Sequence, residues 1–139
     1  MKVFIDTGIF IAFFIRQESR HGDVAVKYQW YRKNKTIFIT STYVLDELLT
    51  WFVYHQPSSV TKKIVSALDR IEKEHELRVM DIDEVTRKKA IELFTKYLDQ
   101  RISFTDATTA VLLKKFSFDE LFTLDSDFRN IGIRNISSL

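Results

Sequence analysis

The chain has 139 residues, 45% of them apolar and 29% charged, a balance that excludes disordered and collagen-like chains and suits one domain burying about two thirds of its unfolded surface. With 21 basic against 19 acidic residues the formal charge is only +2, which permits nucleic-acid contact without demanding it. The absence of cysteine removes disulfides, thiol nucleophiles and thiolate-held zinc, fits a reducing cytoplasm, and leaves three scattered histidines as poor material for a metal site.

Lys2 to Ile5 reads as a short buried strand, and Asp6 breaks its apolar run before it reaches the length of a secretory or membrane segment. Beyond Asp6-Thr7-Gly8, the stretch Ile9 to Ile15 predicts a first helix, and Gly22 to Asn34 a second. The β-branched run Thr36 to Thr40 is the next strand. Ser41 or Thr42 then caps a helix whose Val44, Leu45, Leu48, Leu49, Phe52 and Val53 share one face. Pro57 stops that helix, and Ser58 or Ser59 starts another with Val60, Ile64, Leu68 and Ile71 at helical spacing.

Leu77 to Met80 is a third strand. Asp81, three before Glu84, predicts a capped helix with Val85, Ala90, Phe94, Tyr97 and Leu98 on its apolar side. Ser103 opens a helix to about Phe116, Leu121 to Leu124 is a fourth strand, Ser126 to Arg129 a helical turn, and Arg134 to Ile136 a short last strand. Only three glycines and one proline punctuate the chain, so residues 1–139 read as a single domain without linkers. Strands alternating with helices imply a mainly parallel, helix-covered sheet.

In such a sheet the loops at the carboxyl ends of the strands gather on one edge, where ligands bind. Asp6 ends strand one and Asp125 ends strand four. Asp106 falls in the first turn after Ser103, and Glu47 lies one to two turns into the helix leaving strand two. Converging acids repel unless a cation neutralises them, and oxygen donors without His or Cys point to Mg²⁺ or Mn²⁺. Each acid also has a local use. Asp106 suits a helix N-terminus, Glu47 beside Asp46 a helix surface, and Asp125 and Asp127 a turn. Asp6, directly behind Val3-Phe4-Ile5, has the weakest purely structural explanation.

The segments VFIDTGIFIAFF, STYVLDELL, SFTDATTAVLL and LFTLDSDF, in that order and across nearly the whole chain, resemble the PIN domain, a nuclease family. The resemblance implies a Mg²⁺- or Mn²⁺-dependent ribonuclease on a three-layer α/β/α sandwich with strand order 3-2-1-4-5. It places Asp6, Glu47, Asp106 and Asp125 on the family's acidic quartet, Asp127 as a fifth metal-site acid, and Thr7 and Thr123 on hydroxyl positions. At this length the chain is most similar to the toxin of a VapBC-type toxin–antitoxin pair. That subclass implies an RNA substrate, a cognate antitoxin protein, a homodimer, a cytoplasmic location and no membrane. Two other readings within the family are a PIN nuclease of RNA maturation or decay and a non-catalytic RNA- or partner-binding module. Asp6-Thr7-Gly8 also spells the aspartic-protease triplet, but those enzymes are β-rich and need a second motif. A phospho-receiver domain would need paired acids after strand one and a late lysine, and Asp6 stands alone.

Overall fold

The computed structural model describes residues 1–139. Four strands, β1 (Lys2–Ile5), β2 (Ile37–Ser41), β3 (Leu77–Met80) and β4 (Glu120–Phe122), form one parallel sheet in the order β3-β2-β1-β4. β1 is central, with Phe4 opposite Ile39 on one side and Leu121 on the other. Its Val3, Phe4 and Ile5 are all buried. Because alternate strand residues point to opposite faces, both faces of the sheet must be covered. The cover comes from α1 (Thr7–Phe14), α2 (His21–Lys33), α3 (Thr42–His55), α4 (Ser58–Lys73), α5 (Glu84–Lys96) and α6 (Phe104–Lys115). Twenty-eight buried apolar residues make one continuous core.

The expected fifth strand is reduced to one bridge, Leu121 to Ile136. Leu121 donates to Asn135 O at 2.7 Å and accepts from Ser137 N–H at 2.9 Å, while the Ile136 N–H closes a tight turn onto Arg134 O at 2.9 Å that bends the chain out of extended geometry. β4 is also shorter than its apolar run, because the Thr123 hydroxyl accepts the Asp125 N–H at 3.0 Å and turns the chain. A 3₁₀ segment, Ser126–Ile131, follows and closes on Gly132 with φ 87°, a left-handed position that favours glycine.

Two helix faces differ from the periodicity reading. On α3 the buried stripe is Val44, Leu48 and Phe52, while Val53 is 67% exposed. α5 is capped by Asp83, whose Oδ1 accepts the Thr86 N–H at 2.7 Å, and not by Asp81. That start turns Thr86 and Ala90 inward and leaves Val85 and Leu98 outside. The helix ends at Lys96 and a separate 3₁₀ turn, Leu98–Gln100, leads into α6. α5 and α6 run antiparallel. Asp83 at the start of one reaches Lys115 at the end of the other at 3.7 Å, and the Phe94 and Phe104 rings meet at 5.9 Å at the opposite end.

Leu48 and Val53 separate burial from helix propensity on one element. Leu48→Ala should cost about 2–5 kcal/mol by opening a core cavity, whereas Val53→Ala should stay within about 0.5 kcal/mol. Chemical denaturation of the two variants checks this.

Candidate active site

From β1 the chain steps outward through β2 to β3, then crosses back to β4 on the far side of β1. The order therefore reverses between β1 and β4, the place where open parallel sheets leave a crevice for ligands. Asp6 sits there. Its N–H donates to Phe122 O at 3.0 Å, extending the ladder one residue beyond the strand. Its carboxylate is gripped from both sides: Oδ1 accepts the Thr7 N–H at 2.8 Å and Oδ2 accepts the Thr123 hydroxyl at 2.7 Å. The same Asp6 caps α1, so helix start and strand end share one side chain. From the β2 side the Thr40 hydroxyl donates to Ile5 O at 2.9 Å and ties down the residue before it.

The other acids arrive on three separate elements. Ser41 caps α3 by accepting the Val44 N–H at 3.2 Å. Starting the helix at the strand end turns Glu47 partly inward and leaves Asp46 exposed. Asp106 is locked in a reciprocal capping box, its Oδ2 accepting the Ser103 N–H at 2.9 Å while its own N–H donates to Ser103 Oγ at 3.0 Å. Asp125 follows Thr123 and is linked through that threonine's hydroxyl to Asp6. Asp127 is exposed. Its N–H donates to Asp125 Oδ1 at 2.8 Å, so its backbone orients a neighbouring acid.

Charge links Asp6 to Asp106 and Glu47, and Asp106 to Glu47 and Asp125. Burial, reinforced by the charges of Asp106 and Glu47, pushes the Asp6 carboxyl up to about 7 despite the opposing hydrogen bonds from Thr123 and Thr7. Asp106 is also raised, first by burial and then by the charges of Glu47 and Asp125, against its two bonds with Ser103. Asp127 is not among the groups that raise either acid. All six ion pairs lie elsewhere, and none of the four carboxylates is neutralised by Lys, Arg or His. The donor chemistry is that of a hard divalent cation. No three acidic or histidine side chains stand close enough together to hold one ion by themselves.

Two further details bear on the threonines. The Thr123 hydroxyl is fully used, whereas the buried Thr7 hydroxyl has no hydrogen-bond partner, and it is the Thr7 N–H that serves Asp6. Thr40, which the sequence does not single out, has no motif of its own, standing between Ile39 and Ser41 near the end of β2. The histidines are local. His21 Nδ1 lies 2.8 Å from Ala12 O, and His55 Nδ1 lies 2.8 Å from Trp51 O with its ring stacked on Trp51.

A parallel sheet in this order, covered by helices on both faces, is the fold of a PIN domain, and the chain belongs to that family, which its residues 3–134 match. Among individual relatives, the VapC ribonuclease of Archaeoglobus fulgidus is 30% identical over 138 residues, covering 89% of this chain and 81% of that protein. The 23S rRNA-specific endonuclease VapC20 of Mycobacterium tuberculosis is 26% identical over 94% of both chains. Its crystal structure, described as a sarcin-ricin-loop-cleaving toxin, superposes with a TM-score of 0.79 at 23% identity over 96% of this chain and 97% of that one. VapBC2 of Rickettsia felis, solved bound to a promoter DNA fragment, matches with a TM-score of 0.71 at 15% identity over 99% and 98%. At these identities the superpositions establish the shared fold.

The raised Asp6 has a thermodynamic consequence. A carboxyl that binds its proton more tightly folded than unfolded loses stability as pH rises, from near its ordinary value of 3.8 up to its folded value of about 7. Metal-free protein should therefore lose stability across that interval, by up to about 4 kcal/mol from this group. Asp6→Asn should flatten much of the slope and melt above the parent at neutral pH. Thermal melts in EDTA from acid to neutral pH test it, and an unchanged slope would mean that Asp6 carries no buried charge.

Proposed function

We propose that this protein is a divalent-metal-dependent endoribonuclease acting as the toxin of a VapBC-type pair, working as a single domain. The observation that carries the reading is the buried Asp6, raised by the charges of Asp106 and Glu47, beside Asp106, raised in turn by Glu47 and Asp125, with none of these four carboxylates paired to a side-chain cation. The VapC ribonuclease at 30% identity supports the substrate class, and VapC20, whose structure is described as a toxin, supports the toxin role.

In this reading Asp6 and Asp106 are the principal Mg²⁺ or Mn²⁺ ligands, and Glu47 and Asp125 complete the set directly or by orienting water. Asp127 holds Asp125 through its N–H. When bound, the metal supplies an activated water nucleophile and neutralises charge developing on the phosphodiester. The chain's own part is to fix the acids. The Thr7 N–H and Thr123 hydroxyl hold both Asp6 oxygens along set directions, and the Ser103 box holds Asp106. Those bonds preorganise the acids before substrate arrives, so little reorganisation is left for the reaction.

An antitoxin would silence such a site most directly by laying an arginine among the carboxylates, since a guanidinium pairs them bidentately and competes with metal. The toxin would work as a homodimer inside the cell. No helix is long and apolar enough to cross a membrane.

Cleavage of a structured RNA should need Mg²⁺ or Mn²⁺, stop in EDTA and return when metal is restored. Asp6→Asn and Asp106→Asn should each lower the rate by at least about 100-fold. Undiminished cutting in EDTA, or by purified Asp6→Asn, would overturn the mechanism.

A further inference from the structure

The four acids pose a problem for substrate capture, because a metal-poor carboxylate cluster repels RNA phosphates. Affinity must come from cations elsewhere. The antiparallel α5 and α6 enclose a groove of about 400 Å³ whose exposed rim carries Lys89, Lys96, Lys114 and Lys115 against one acid, Glu92. Lys115 is shared with Asp83 at 3.7 Å, but Lys89, Lys96 and Lys114 make no ion pair. Lys96 stands one turn beyond Glu92, the favoured spacing and order for a helix salt bridge. It instead lies over the Tyr97 ring at 5.3 Å.

Attraction to helix C-termini accounts for Lys96 and Lys114, each in the last turn of its helix. It does not account for Lys89 in the middle of α5. Because the helices are antiparallel, their ends lie at opposite ends of the groove, and the three unpaired lysines keep it positive along its length. α6 also carries Asp106 in its first turn. Lys114 lies eight positions further along, about 12 Å away, while Lys96 sits at the α5 end that packs against the start of α6. The other lysine-rich face, Lys62, Lys63 and Arg70 on α4, shares no element with any of the four acids.

We propose that the α5–α6 groove is a phosphate-tracking surface that holds single-stranded RNA on Lys89, Lys96 and Lys114, leading the strand toward Asp106. The proposal rests on the ribonuclease reading for its ligand. The half-buried Tyr97 in the groove adds an aromatic ring of the kind on which bases stack. Contacts of this type supply affinity without sequence preference, and each releases counterions.

The test is a Lys89→Gln/Lys96→Gln/Lys114→Gln triple variant. Its binding to a labelled single-stranded RNA is followed by fluorescence anisotropy in EDTA over a series of salt concentrations, with circular dichroism to confirm folding. The expected result is at least tenfold weaker binding and a salt slope of log K against log[salt] shallower by about 2, with the corresponding triple Arg variant retaining parental values. Equal affinity and slope in parent and Gln variant would overturn the proposal, as would a parent that binds no RNA. Lysine-dependent binding of polyglutamate with lysine-independent RNA binding would also overturn it, and would make the groove a docking site for an acidic protein segment. Because the readout is binding without metal, a parent that binds RNA through these lysines yet never cleaves it would refute the nuclease mechanism and leave the groove standing.

Discussion

The structure turns on a carboxylate placed where a protein can least easily keep one charged. Asp6 lies at the carboxyl end of the central strand with 7% of its surface exposed, and its burial is compensated by two hydrogen bonds and no cation. A full charge in that position costs several kcal/mol unless a partner arrives. The fold therefore places an unpaired negative charge at the switch point between β1 and β4. Much of the surrounding structure serves to keep that carboxylate in place: Thr123 ends β4 to donate to it, Thr40 fixes the preceding carbonyl, and α1 begins on it.

This arrangement trades stability for function in an identifiable way. Asp106 could have been a helix cap and nothing more, since its capping box is complete. What separates it from an ordinary cap is that burial and the charges of Glu47 and Asp125 raise it in spite of that box. Natural active sites commonly retain such locally unfavourable charge. The surrounding core of 28 residues is what tolerates it.

Most of the fold was legible because periodicity and caps agree: Ser41, Ser103 and Pro57 mark their helix starts or stops as the sequence suggests. The errors fell where a side chain competes with the backbone. Asp83 took the cap expected of Asp81, Thr123 cut β4 short, and the turn at Arg134 left the last strand as a single bridge. Exposure of Val53 could not be read from its spacing, because the stripe on α3 is narrower than the run of apolar residues along it. At the site, the four acids could be picked out from their places at strand ends and helix starts, and the resemblance gave them a shared role. That Glu47 turns inward and Asp46 outward follows from where Ser41 starts the helix, and Thr40 carries no pattern a sequence would reveal.

The most direct test of coupled carboxylates around Asp6 is its own titration, followed by carboxyl ¹³C NMR in metal-free protein. Asp6 should titrate at about 7, and Asp106→Asn should lower that midpoint by removing a neighbouring negative charge. An Asp6 that titrates at the ordinary 3.8 and ignores replacement of Asp106 would contradict the account.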